Sequence, residues 1–237
     1  MGRFANGEEQ EQRAKKEIKN MNIQKFLILP LLLLSLFPFT IPLSPFPSAL
    51  LKAEAPYQYP FYQQELQEIK DMKPSKTIFL GDSLTHRHNW SNFKASNMGI
   101  DGDTTDGVLT RMRLSEKADT IVLMIGANDI LQRTAMTKIQ KNYTKILNNF
   151  KTHQNIYILS VLPVVDERQT KALNQDILTL NAWLKREVKK HKMTYVNFHP
   201  HFLQGKGLAH PLTTDGIHLT NKGYKLWEKL LRDNIFN

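Results

Sequence analysis

Thr77-Ile78-Phe79-Leu80-Gly81-Asp82-Ser83-Leu84 is the stretch on which the reading of this chain turns. Its first four residues are apolar or β-branched, the composition of a buried strand, and Gly81-Asp82 are turn formers. Ser83 thus stands where a strand hands over to a turn, with its hydroxyl exposed. A helix beginning there would aim backbone N–H groups at negative charge developing beside the serine. That makes Ser83 a candidate nucleophile. Gly, Asp and Ser are also common in ordinary turns, so partners must be sought elsewhere in the chain.

Three further segments supply them, in order: Asn97-Met98-Gly99-Ile100-Asp101-Gly102-Asp103-Thr104, Ile125-Gly126-Ala127-Asn128-Asp129, and Thr214-Asp215-Gly216-Ile217-His218-Leu219. Cleaving an ester or thioester requires a nucleophile, a base to accept its proton, and donors aimed at the oxyanion that forms. His218 is the candidate base. Asp215, three residues earlier, can hold its imidazole in one tautomer and stabilise the imidazolium. Asn128 offers a side-chain amide as oxyanion donor or, alternatively, a helix cap. Gly99 and Gly102 compete as backbone donors, since a residue without Cβ approaches substrate closely.

Working outward, apolar runs at 77–80, 95–98, 120–125, 155–161 and 194–198 predict strands. Helical spacing marks 61–72, 105–114, 137–150, 171–191 and 221–234. This alternation, with near-continuous apolar strands, predicts an α/β fold: a buried parallel sheet with helices on both faces. Ligands of such folds bind beyond the carboxyl ends of the strands. Ser83, Gly102 and Asn128 each follow a strand, which gathers them at one rim.

With these motifs in view, the chain from residue 76 to its C-terminus resembles the SGNH hydrolases, or GDSL esterase/lipase family. Gly-Asp-Ser-Leu-Thr, Asp-Gly-Asp-Thr-Thr-Asp-Gly-Val-Leu and Asp-Gly-Ile-His-Leu-Thr-Asn-Lys-Gly-Tyr make it most similar to small acylhydrolases of the platelet-activating-factor acetylhydrolase type. The resemblance implies a three-layer α/β/α, flavodoxin-like fold with a five-stranded parallel sheet. It implies a carboxylic ester hydrolase working through an acyl-serine intermediate, with Ser83, Asp215 and His218 as catalytic residues. The Ser83 N–H, the Gly102 N–H and the Asn128 amide become the oxyanion donors, the Gly-Asp-Thr match selecting Gly102 over Gly99. No lid-like insertion interrupts the motifs, so esters of short acyl groups on carbohydrate or lipid are the expected substrates. A lysophospholipase or thioesterase is the alternative within the enzyme class, and a non-catalytic envelope-binding module the alternative outside it. No cofactor or metal is expected.

The N-terminal residues are a different material. Residues 1–20 are charged and polar, and Lys25 precedes the apolar run 26–43, the order of an export signal. Pro30, Pro38 and Pro42 interrupt that run, which favours a cleaved signal peptide over a membrane-spanning anchor. Ala53-Glu54-Ala55 is a small-x-small site, followed by proline, and Met21 is an alternative start. The expected organisation is a basic segment with signal peptide or anchor (1–55), a linker and lead-in helix (56–75), and one hydrolase domain (76–237). Export, cleaved or anchored, would put that domain outside the cytoplasm.

The absence of cysteine excludes disulfides, thiolate metal sites and a cysteine nucleophile. Net charge is +10; without residues 1–55, which carry seven Lys/Arg and five Asp/Glu, it is still +8. Such an excess favours contact with an anionic membrane or envelope surface. The lysines of 137–150 and 171–191 lack interleaved aromatics, so no nucleic-acid partner is expected. Composition leaves the oligomeric state open. His86 with His88, and His199 with His201, have a spacing that could serve a metal, but no carboxylate cluster accompanies them, and they read as loop histidines. Asp101-Gly102-Asp103 is a fragment of a calcium loop without the remaining ligands. Trp90 and Phe93 read equally as pocket wall or core.

Overall fold

The structure is a computed structural model that describes residues 59–150, 155–165 and 171–236. The chain divides into Met1–Leu50 and Leu51–Asn237. The expected signal or anchor segment, its small-x-small site and the first linker residues lie outside the described residues.

The five predicted strands form as β1 (Thr77–Gly81), β2 (Ala95–Gly99), β3 (Thr120–Met124), β4 (Asn155–Leu159) and β5 (Thr194–Val196). They pair in parallel in the order β2-β1-β3-β4-β5, the flavodoxin-like arrangement. Gly81 lies opposite Gly99 on one side and Met124 on the other, so the three strands nearest the predicted site end level. Between and around them run α1 (Pro60–Asp71), α2 (Ser83–His86), α3 (Thr105–Thr110), α4 (Ala127–Leu131), α5 (Met136–Asn149), α6 (Lys171–Lys190) and α7 (Asn221–Asn234). A short antiparallel pair, β6 (Leu203–Gln204) and β7 (Gly207–Leu208), precedes α7 and has no signature in the sequence reading.

Side chains alternate across the sheet and so define two cores. Ile78, Leu80, Ile121 and Leu123 join Tyr62 of α1, Val108 of α3, Ile139 and Ile146 of α5, and Leu180 and Leu184 of α6. Phe79, Val122 and Met124 face the other way, onto Trp90, Phe93, Phe202 and the α7 residues Tyr224, Trp227 and Leu231. The second face is closed by α7, by Leu84 of the short α2 and by largely irregular chain, which accommodates the stacked pair Phe79–Trp90 at 4.3 Å between centroids. Trp90 and Phe93 are core residues.

Several boundaries differ from expectation: β3 and β5 end at Met124 and Val196, short of 125 and 198, and two further differences have a visible cause. β4 ends before Ser160 because α6 takes over the hydrogen bonding of the chain that follows. Asn181 accepts from Val161 N and donates to Val161 O, both at 2.8 Å, and Asn174 does the same for Val164 at 2.9 Å. The predicted helix 105–114 breaks at Arg111 (φ −117°, ψ 12°) and continues as a 3₁₀ turn, Met112–Ser115. Arg111 turns its guanidinium inward instead of continuing the helix.

Candidate active site

Ser83 opens α2, with Asp82 as its N-cap: the Asp82 carboxylate accepts the Leu84 N–H at 3.1 Å. α2 is fixed from three sides. Tyr224 of α7 donates its hydroxyl to Leu84 O at 3.1 Å, Trp90 Nε1 donates to Thr85 O at 2.9 Å, and the Asn97 amide of β2 donates to the carbonyls of Thr85, His86 and His88. A four-residue helix would not persist alone. Packing and side-chain hydrogen bonds hold it.

His218 meets Ser83 from the loop before α7, with Nε2 3.0 Å from Ser83 Oγ. Its Nδ1 is 2.6 Å from Asp215 Oδ2. An ionised carboxylate only accepts, so Nδ1 carries the proton and Nε2 is left to accept from the serine hydroxyl. Asp215 Oδ1 accepts the N–H groups of Ile217 at 3.0 Å and His218 at 2.8 Å. Partial burial works against the Asp215 charge, but these bonds, led by the His218 ring, outweigh it and hold the carboxyl below its usual range. The loop is tied down by Thr213 Oγ1 donating to His218 O at 2.8 Å and Val165 N donating to Gly216 O at 2.9 Å.

Gly102 and Asn128 stand at the ends of β2 and β3. Asn128 lies within α4 rather than at its cap, and Gly126 supplies the left-handed turn (φ +113°) that starts this helix directly off the strand. One amide hydrogen of Asn128 goes to Asp103 O at 2.8 Å, leaving the second N–H donor of the amide. Gly99 lies inside β2, paired with Gly81, which leaves Gly102 as the glycine of the loop.

Sequence reading missed the residues behind this rim. Asp103 and Arg111 form an ion pair with almost no exposed side chain. Arg111 also donates to Met98 O at 2.8 Å and Gly81 O at 3.0 Å, the ends of β2 and β1. Burial opposes its charge, but the Asp103 carboxylate prevails and keeps the guanidinium above its ordinary value. Asp129 accepts from Thr105 N at 2.9 Å and Thr105 Oγ1 at 2.6 Å. A buried ion pair is weak evidence for stability; this one fastens three chain segments at one point. Arg111 was detectable: it shares the helical face of Val108, Met112 and Ser115, where a charge needs a buried partner.

Burial pushes the Asp82 carboxyl up to about 7 from an ordinary 3.8; the Leu84 N–H bond opposes this and the nearby aspartates add to it. Because the folded form holds this proton more tightly, its contribution to stability is full below about pH 4 and is lost as pH rises toward 7. Asp82→Asn, which keeps an acceptor for Leu84 N–H, is expected to flatten the fall in urea midpoint between pH 5 and pH 8. Parallel wild-type and variant curves would count against a protonated Asp82.

The histidine pairs do not converge. His88 Nε2 meets Glu228 at 2.9 Å and stacks on Tyr224, His86 Nδ1 meets Gly99 O at 3.2 Å, and His199 is buried. Among the described residues there is no group of three or more His, Cys, Asp or Glu able to hold a metal. Beside Asp215 a cavity of about 110 Å³ opens between Leu131, Val164, Val165, Leu173 and Ile217.

Residues 79–226 match the GDSL-like lipase/acylhydrolase family. The chain is 25% identical over 172 residues to platelet-activating factor acetylhydrolase IB subunit alpha1 of Bos taurus, covering 66% of this chain and 73% of that protein. A GDSL-like lipase from Bacteroides thetaiotaomicron superposes with a TM-score of 0.64 at 26% identity, over 74% of this chain and 97% of the other. An acetylxylan esterase from Geobacillus stearothermophilus shares the fold at 13% identity, with a TM-score of 0.58 over 66% of this chain and 92% of the other. The serine-bearing turn, the parallel sheet that carries it and the match over most of the hydrolase domain agree: this chain belongs to the GDSL-like lipase/acylhydrolase family and is a carboxylic ester hydrolase.

Proposed function

We propose that the protein is an exported serine esterase that removes short acyl groups through an acyl-serine intermediate. The observation that carries the reading is the continuous hydrogen-bonded line Ser83–His218–Asp215 at the carboxyl end of β1. Ser83 Oγ attacks the ester carbon while His218 Nε2 takes its proton. The same proton passes to the departing alcohol as the tetrahedral centre collapses, and water then repeats the sequence on the acyl-serine. Asp215 keeps the imidazole in the required tautomer. The Ser83 N–H, the Gly102 N–H and the second amide hydrogen of Asn128 serve the oxyanion.

Short acyl groups are favoured because no lid-like insertion interrupts the motifs to shelter a long chain. The bovine relative is named as an acetylhydrolase, which agrees with a small acyl group on lipid or carbohydrate. A panel of p-nitrophenyl esters of graded length, beside acetylated sugars and phospholipids, tests this: activity should fall beyond four carbons. A maximum at eight or more carbons would favour a lysophospholipase or thioesterase. Labelling by a fluorophosphonate probe, absent from a module that only binds, tests the serine itself.

Asn128→Ala is expected to lower kcat about 10²–10³-fold with little change in KM, because an oxyanion donor acts on charge that develops in the transition state. A pure KM effect would reassign Asn128 to ground-state binding.

Export rests on the basic-then-apolar order of the N-terminal residues. Among the described residues no helix is long and apolar enough to cross a membrane. Fusing residues 21–62 to a reporter active only after export tests the localisation, and an inactive, soluble cytoplasmic reporter would overturn it.

A further inference from the structure

Helix α1 lies outside the residues that match the family, yet it forms one wall of the loop between β2 and α3. Tyr62, with no exposed surface, donates its hydroxyl to Asp103 Oδ1 at 3.1 Å. Burial, then the Asp103 carboxylate, pushes this phenol well above its ordinary range, so it stays a donor at working pH. One turn further on, Glu65 Oε2 accepts the backbone N–H of Asp101 at 2.8 Å. A spacing of three puts both side chains on one face of α1.

Gly102 stands between the two residues so held. Its φ of +74° is left-handed, and a Cβ built on it would meet no atom within 4 Å. Gly102 lies in a turn closed by the Asp103 N–H donating to Ile100 O at 3.2 Å, with no side chain of its own to brace it. The direction of its N–H therefore depends on how that turn is held at Asp101 and Asp103. Asp103 is held by Tyr62 and Arg111 at its carboxylate, by Ile100 O at its N–H and by Asn128 at its carbonyl. The backbone N–H of Asp101 is held by Glu65, while its carboxylate pairs with Arg87.

We propose that Tyr62 and Glu65 are positioning residues for the Gly102 oxyanion donor, so that α1 sets the aim of a group it never touches. This rests on the assignment of Gly102 and Asn128 to the oxyanion hole.

The test uses p-nitrophenyl acetate turnover of the full chain, with melting temperatures measured alongside. Tyr62→Phe removes one hydroxyl and leaves the ring in the core; kcat is expected to fall about 5–20-fold with KM within about twofold. Glu65→Ala should act in the same direction. Glu65→Gln should recover most of that loss, because its amide oxygen still accepts the Asp101 N–H although the charge 3.7 Å from His86 is gone. Tyr62→Phe combined with Asn128→Ala should cost less than the product of the two, since both act through one hole. Unchanged kcat in Tyr62→Phe and Glu65→Ala, whatever happens to the melting temperature, overturns the proposal. Equal losses in Glu65→Ala and Glu65→Gln do so as well, by pointing to charge rather than to the acceptor. If Asn128→Ala keeps full kcat, the oxyanion assignment fails and takes the proposal with it. Loss in Asn128→Ala beside normal Tyr62→Phe and Glu65→Ala overturns the proposal alone.

Discussion

Ser83→Ala should lose at least ~10³-fold in ester turnover while keeping the melting temperature of the parent. The serine side chain contributes one oxygen to the site and no packing volume that alanine lacks. The N-cap from Asp82, the Tyr224 bond to Leu84 O and the core beneath α2 do not involve Ser83 Oγ. What remains is the oxyanion hole acting on water, worth far less than the covalent route. Hydrolysis of p-nitrophenyl acetate and labelling by a fluorophosphonate should vanish together. Near-normal turnover in this variant would remove the acyl-serine pathway altogether.

His218→Ala should match that loss, again at least ~10³-fold, because Ser83 Oγ then has no acceptor at 3.0 Å for its proton. Asp215→Ala should cost less than either, since the imidazole remains and only its tautomer and orientation are released. The comparison has a second use. Asp215 also accepts two backbone N–H groups of its own loop, so its removal loosens the segment that carries His218. A loss in Asp215→Ala as deep as that of His218→Ala, measured as kcat/KM, would show that Asp215 does more than orient a base.

The β-strands were legible because their pattern is local: apolar runs such as Thr120–Met124 announce a buried strand without help from the rest of the chain. The placing of Ser83, Gly102 and Asn128 at one edge was legible for a related reason, since each follows a strand of a parallel sheet; the order β2-β1-β3 then makes their strands neighbours. Boundaries were less so. The end of β4 is decided by Asn174 and Asn181, amides that approach from a helix later in the chain, and nothing within 155–161 encodes them. The bracing of the rim was hidden differently. Tyr62 and Glu65 carry no motif, and their importance depends on Asp101 and Asp103 being brought against them; Arg111, a charge on the apolar face of its helix, was the member that the pattern could have flagged. Local patterning gave no hint that irregular chain shares one face with α7, because that chain has no period.

The Val165 N to Gly216 O bond joins the exit of β4 to the loop holding the base. Val164 and Val165 also line the aliphatic chamber, and Asp215, Gly216 and Ile217 form its opposite side. The chamber and the loop that carries His218 therefore share a partition. A change of the Val165 side chain leaves that backbone bond in place but alters the packing beside Gly216, whereas trimming Leu131 or Leu173 enlarges the chamber from a wall that carries none of the relay. The chamber can thus be reshaped from α4 and α6 without disturbing the segment that holds His218.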